Sequence, residues 1–250
     1  MDVSMMITCL CDALFPDVGT SAVRVLENLG VRVRFPAEQT CCGQPAFNSG
    51  YWDDARKAAR AMIRAFRDAP YVVSVSGSCA GMIRHHYPML FDAPELRAAA
   101  TDLASRTYEF TEFLVKVLRV ESLPARMYAK AAFHNSCHTR RWLGVDEEPL
   151  RVLSMVEGLE VVPIPDAETC CGFGGTFSVK MPELSGAMVD RKAEAVLATE
   201  AELLVSCDAS CLMNIAGRLA RRGAAIRCVH VAELLAQAWR DDDVRAVAGL

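Results

Sequence analysis

"TCCGQPAFNSG", residues 40–50, places two adjacent cysteines, Cys41 and Cys42, in front of a glycine. Neighbouring Cα atoms stand about 3.8 Å apart, whereas a relaxed disulfide wants roughly 4.4–6.8 Å, so the two are not built to bond to each other. The device recurs as "TCCGFGGTFS", residues 169–178, with Cys170 and Cys171 again between Thr and Gly. Superposing the two stretches brings further cysteines into register. Thirty-one residues separate Cys9 from Cys41 and 36 separate Cys42 from Cys79. In the second half, 32 separate Cys137 from Cys170 and 39 separate Cys171 from Cys211. The flanks agree as well: "YVVSVSGSCAGM" matches "LLVSCDASCLMN", and "YEFTEFLVKVL" matches "VHVAELLAQAW". This is an internal duplication. The join falls within residues 120–130, which predicts units 1–120 and 121–250.

Each unit reads as alternating strands and helices. In the first, "MMITCL" is a strand and "TSAVRVLENLG" a helix with Thr20 as N-cap and Gly30 as stop. "VRVRFP" is the second strand, ended by Pro36. After the CCG loop come a helix from about Tyr51 and the strand "YVVSVS". The pattern predicts an α/β fold: two tandem, pseudo-symmetric Rossmann-like units with parallel sheets. Cys9 and Cys137 are expected to end first strands, the CCG pairs to follow second strands, and Cys79 and Cys211 to follow third strands. That puts the cysteine sites at the carboxyl edge, where open α/β sheets bind ligands.

Composition narrows the chemistry. Hydrophobic residues make up 52% and charged residues 23%, an ordinary folded balance. A net charge of −4 without Lys/Arg runs gives no reason to expect nucleic acid. The start, "MDVSMMITCLCDALF", has no basic n-region and too short an apolar run for a signal peptide or membrane span, so a cytoplasmic protein is expected. Thiols stay reduced there, and 11 cysteines then point to metal or redox work. Cys228, in the apolar "AAIRCVHV", reads simply as a buried hydrophobe.

Four converging thiolates per half select zinc, Cu(I) or an iron–sulfur cluster. Structural zinc usually draws its ligands from C-x₂₋₄-C knuckles. Adjacent side chains diverge, and a cluster can accept them at different metal atoms where one small ion cannot without strain. Gly43 and Gly172 would let the backbone approach closely and leave in an unusual φ. The ligand set is Cys9, Cys41, Cys42 and Cys79 in one half, and Cys137, Cys170, Cys171 and Cys211 in the other. Two iron–sulfur clusters are the expectation, with zinc as the alternative.

The double Cys-x₃₁₋₃₂-Cys-Cys-Gly-x₃₆₋₃₉-Cys pattern resembles the CCG, or cysteine-rich, domain proteins. That family includes the cysteine-rich subunit of heterodisulfide reductase and cluster-bearing subunits of glycolate- and glycerol-3-phosphate-oxidising enzymes. "CCGQPAFNSGY", "SGSCAGM", "SCHTRRWLGV", "CCGFGGTFSVKM" and "SCLMNIAGRL" carry the likeness, which runs over residues 5–240. Within the family these extended stretches are similar to the branch that serves lactate oxidation. The resemblance implies an iron–sulfur subunit of a cytoplasmic complex that oxidises L-lactate to pyruvate with two partner subunits, at least one of them an iron–sulfur protein. In the heterodisulfide reductase relatives the last segment reads Cys-x-x-Cys. Here Ser76 and Asp208 occupy the positions of the extra thiolate. Four cysteines per site suffice for an ordinary [4Fe–4S] cluster, with a non-cubane type as the other option. Cys207 lies one place too early to replace the missing thiolate, and Cys11 is the other candidate for it. A catalytic subunit acting on thiols or disulfides, and a non-redox zinc protein, are the competing functions.

Lactate oxidation needs a base, a cation for the carboxylate and an electron acceptor. "FHNSCHTRRW" offers His138 and Arg140 as catalytic candidates; the plainer reading is that Arg140 and Arg141 neutralise a cluster or dock a partner. His134 reads as a hydrogen-bonded strand residue, and His85 and His86 as a solvated helix end. "GFGGTFS" lacks the strand, helix and acidic residue of a dinucleotide site and reads as backbone wrapped around a cluster. Without a flavin or nicotinamide site, the chain is not expected to turn over lactate alone.

Overall fold

The computed structural model describes residues 1–240 and gathers their strands into two sheets. Strands β1 (Asp2–Met6), β2 (Arg32–Arg34), β3 (Val72–Ser74) and β4 (Thr107–Glu109) lie in the order β2-β1-β3-β4, all parallel. Strands β5 (Arg126–His134), β6 (Glu157–Val162), β7 (Leu203–Ser206) and β8 (Arg227–His230) repeat it as β6-β5-β7-β8. The α/β reading therefore holds, with one sheet drawn from each repeat. The second unit's expected end at 250 lies outside the described residues.

Alternation along the central strands assigns the two faces of each sheet. Val3, Met5, Val73 and Val75 turn one way, and Ala131, Phe133, Val205 and Cys207 do the same in the second sheet; all eight join a single core shared by both units. Met6 and Val72 turn outward beneath Ala55, Ala59 and Met62 of the helix Trp52–Ala65. Ala132 and Leu204 turn outward beneath Val189, Ala193 and Val196 of the helix Pro182–Leu197. The shared core is closed by exchange. The helix Val231–Ala238 of the second unit packs on Pro16–Asn28 of the first, and the helical segment from Phe110 of the first packs on Glu147–Ser154 of the second. Both exchanged helices open with a capping box, Glu109 with Glu112 and His230 with Glu233.

Local starts depart from the sequence reading in two places. The helix expected to begin at Thr20 begins at Pro16, whose fixed φ suits the first turn, and Thr20 lies inside it with its hydroxyl donating to Asp17 O at 3.1 Å. Gly30 does stop it, at φ +76°. Cys9 and Cys137 do not end strands: each opens a short helix, Cys9–Leu14 and Cys137–Arg141, capped by Thr8 and Ser136. The hydroxyl one residue ahead of each cysteine captures a backbone N–H, so the chain turns helical at once.

In the order β2-β1-β3-β4 the crossovers from β1 and into β3 pass to opposite faces, which leaves a crevice at the carboxyl ends of β1 and β3. The equivalent crevice lies between β5 and β7. No described helix is long and apolar enough to cross a membrane.

Candidate metal centre

Both crevices open into one cavity of about 350 Å³. Its walls carry all eight cysteines of the two quartets. In the first, Cys9 Sγ lies 3.7 Å from Cys41 Sγ, and Cys42 Sγ lies 3.4 Å from Cys79 Sγ. In the second, Cys171 and Cys211 approach to 3.1 Å. None of the 11 cysteines is in a disulfide. Each quartet has a buried inner pair, Cys42 with Cys79 and Cys171 with Cys211, and a more open outer pair.

The glycine after each pair shapes the loop. Gly43 and Gly172 both have φ +82°, and the N–H of each donates to the sulfur two residues back, Cys41 or Cys170, at 3.4 Å. A Cβ on Gly172 would stand 2.7 Å from Ser185 O, so the helix behind the loop leaves no room for a side chain. The thiols of Cys42 and Cys9, with that N–H, hold Cys41 well below the ordinary thiol range. Cys170 is held low in the same way by Cys137 and Cys171. The thiols that donate, Cys9, Cys42, Cys137 and Cys171, are pushed up. Each quartet thus keeps one thiolate ready for a cation.

Three supports are not legible in the motifs. Gln39 accepts from Ile7 N at 3.0 Å and donates to Met5 O at 3.1 Å, tying the first CCG loop to the end of β1. The buried Tyr87 hydroxyl donates to Cys42 O at 2.9 Å. Asn214 Nδ2 donates to Cys171 O at 2.8 Å. Both tyrosine and asparagine pin the carbonyl of the inner cysteine, from positions that sequence spacing does not connect to it.

The other candidates divide. His138 lines the cavity, with Nδ1 3.6 Å from Cys137 Sγ and its ring edge-on to Trp142. Arg140 points elsewhere, paired with Asp146 at 3.1 Å and Glu168 at 2.9 Å. Cys11 is buried at the cavity wall, and burial pushes its thiol up to about 12. Cys207 lies one residue past β7, fully buried in the shared core and away from the cavity. Cys228 is half-buried on β8. Phe173, Gly174 and Gly175 do wrap the cavity.

Two histidine readings are corrected. His86 is half-buried: its ring packs 4.4 Å from Phe47 and 4.6 Å from Trp142, while His85 is exposed. His134 is not hydrogen-bonded. It is 2% exposed, and neither ring nitrogen has a partner. Burial, with Lys192 nearby, pulls its pKa down to about 3, so the ring is neutral. A ring nitrogen of His134 and the sulfurs of Cys171 and Cys211 all lie within 4.8 Å of one another.

The donor set fits a thiolate-ligated metal centre in each crevice: converging free thiols, a glycine cradle, inward N–H groups, and an unpartnered imidazole beside the second.

Residues 3–84 and 131–216 match the cysteine-rich domain family, named for its CCG motif. The chain is 52% identical over 236 residues to lactate utilization protein A of Geobacillus kaustophilus (strain HTA426), covering 94% of this chain and 98% of that protein. It is 52% identical over 238 residues to lactate utilization protein A 2 of Bacillus cereus (strain Q1), covering 95% and 98%. Among solved structures, a hypothetical protein from Helicobacter pylori superposes with a TM-score of 0.66 at 9% identity. That match covers 99% of this chain and 51% of the other, a likeness of fold alone.

Proposed function

Since the chain belongs to the cysteine-rich CCG-domain family, in the group of the lactate utilization A proteins, we propose that it is an iron–sulfur subunit of a lactate-utilization system. In this reading Cys9, Cys41, Cys42 and Cys79 hold one cluster, and Cys137, Cys170, Cys171 and Cys211 hold the other. The observation that carries it is the single cavity lined by both quartets. Bound there, the clusters supply one-electron transfer.

The protein's own part is positional. Gly43 N–H and Gly172 N–H stabilise the outer thiolate of each pair, while Tyr87 and Asn214 fix the loops that present them. Leu10, Phe173 and Val179 line the cavity with apolar surface. Electrons drawn from L-lactate oxidation enter and leave through partner subunits, because Arg140, the cation nearest His138 in sequence, is committed to Asp146 and Glu168 and does not line the cavity. Lactate turnover by this chain alone, with an artificial acceptor, would overturn that division of labour. Failure of a deletion strain to grow on lactate, restored by the wild-type chain but not by Cys42→Ser or Cys211→Ser, tests the role in the cell.

The grouping of His134 with Cys171 and Cys211 is the observation that favours zinc at the second site. Metal analysis of anaerobically purified protein separates the two readings.

A further inference from the structure

The repeat that makes the two crevices alike also shows where they differ. β1 pairs with β3 at Met6–Ser74, and β5 pairs with β7 at His134–Ser206. Cys9 and Cys137 follow three residues after Met6 and His134, so those two residues are equivalents. Met6 is fully buried and packs in the apolar cluster with Cys42 and Cys79. His134 takes the same place beside Cys171 and Cys211.

A second exchange sits behind it. Gly43 faces Ala55 and Ala58, and Gly172 faces Ser185 and Met188, which sets Met62 opposite Lys192 along the two helices. Both are fully buried. Met62 Sδ lies 3.2 Å from Thr40 N, whereas Lys192 donates to Ala167 O at 3.1 Å. Two methionines behind the first quartet are therefore an imidazole and an ammonium behind the second.

A buried imidazole with neither nitrogen bonded loses hydrogen bonds that water would have supplied. Such a group is retained where something else occupies the nitrogen. Among the described residues, the metal-ligating atoms gathered with that nitrogen are the sulfurs of Cys171 and Cys211. Resting on the metal-centre reading above, we propose that His134 is a fifth protein donor to the metal centre of the second site, through a ring nitrogen, and that the first site has no such donor. The two centres are chemically distinct.

Full-length protein, purified and reconstituted anaerobically, decides this by pulsed EPR after reduction. Wild type should show an imidazole ¹⁴N coupling that becomes ¹⁵N on histidine labelling. The coupling should survive His138→Gln, and vanish in His134→Ala while iron stays within about a fifth of wild type. A cluster signal without histidine nitrogen coupling, or a coupling that persists in His134→Ala, overturns the proposal. Labelled His138→Gln decides it even if His134→Ala does not fold, because among the other histidines His85 and His86 lie outside the cavity and His230 is bonded to Val75 O. Protein without iron or acid-labile sulfide overturns the iron–sulfur reading instead. The His134 proposal is then decided by Co²⁺ titration: His134→Ala should weaken Co²⁺ binding tenfold or more, and unchanged affinity contradicts it.

Discussion

Asp208 accepts a hydrogen bond from Ser76 at 2.5 Å, across 132 residues of sequence, and the repeat places these two residues in register with each other. Equivalent positions of a duplicated unit touch only where the pseudo-twofold axis passes. The axis therefore runs between Ser76 and Asp208, and the two quartets flank it, which is why they share a cavity. Asp208 also accepts from Ser78 N at 3.2 Å and Ser78 Oγ at 3.1 Å, and is 1% exposed. A carboxylate at one position and a hydroxyl at its equivalent make a complementary pair, where two carboxylates would repel. The duplicated halves have diverged at their point of contact to bind each other.

Removing that carboxylate should loosen the seam. Asp208→Ala leaves Ser76 and Ser78 N without their charged partner, and hydrogen bonds to charged groups contribute roughly 1.5–3 kcal/mol. Urea unfolding of the apoprotein should show a loss of about 2–3 kcal/mol. A double-mutant cycle with Ser76→Ala should show strong coupling between the two positions. Additive effects would mean that the seam is held elsewhere.

The inner-cysteine anchors should act on retention of metal more than on folding. Tyr87→Phe removes one neutral hydrogen bond, worth about 1 kcal/mol, and keeps the ring that fills the core. Its first-site iron should be lost faster to a chelator than in wild type, with second-site iron unchanged. Asn214→Leu should do the reverse.

Lys192 predicts an asymmetry of potential. Lys192 is buried near Cys171 and Cys170; burial lowers its pKa, and its protonated form favours the more negative, reduced state there, a help that Met62 cannot give the first quartet. Redox titration should find the second centre easier to reduce. Lys192→Met should lower that potential towards the first centre's and leave the first unmoved.

The two-unit α/β architecture and the eight cysteines near the strand ends are legible in the sequence because repeat spacing and local hydrophobic runs carry them. What is not legible depends on the other unit or on groups far along the chain. The repeat aligns Ser76 with Asp208 but does not say that they touch, and nothing in the sequence points His230 Nε2 at Val75 O, 3.0 Å away in the first unit. His134 looks like any strand histidine until its surroundings are found to hold sulfur and no ordinary partner. Arg140 looks like a substrate cation until Asp146 and Glu168 are found beside it. The helix that starts at Pro16 reads as starting at Thr20 because a hydroxyl that bonds inside a helix looks the same, in sequence, as one that caps it.

Glu109 supplies a pH dependence. It is fully buried, one carboxylate oxygen has no partner, and burial raises its pKa from 4.5 to about 7. A carboxyl raised on folding binds its proton more tightly in the folded state, so its contribution is greatest below pH 4.5 and is lost as pH rises through 7. Apoprotein stability should carry a falling component over that window, at most roughly 3 kcal/mol. Glu109→Gln keeps an oxygen for Thr111 N and Glu112 N and should flatten it. An unchanged slope in the variant would show that Glu109 is ionised throughout.

The most direct measurement is iron and acid-labile sulfide per chain in anaerobically purified wild type, Cys211→Ser and Cys207→Ser. Two four-iron clusters predict about eight irons in wild type. Cys211→Ser should lose close to half, since it breaks the second quartet alone. Cys207→Ser should keep nearly all, since that thiol is buried in the core between the sheets. Stoichiometric zinc without sulfide in wild type, or half the iron lost from Cys207→Ser and none from Cys211→Ser, would contradict two iron–sulfur centres held by these quartets.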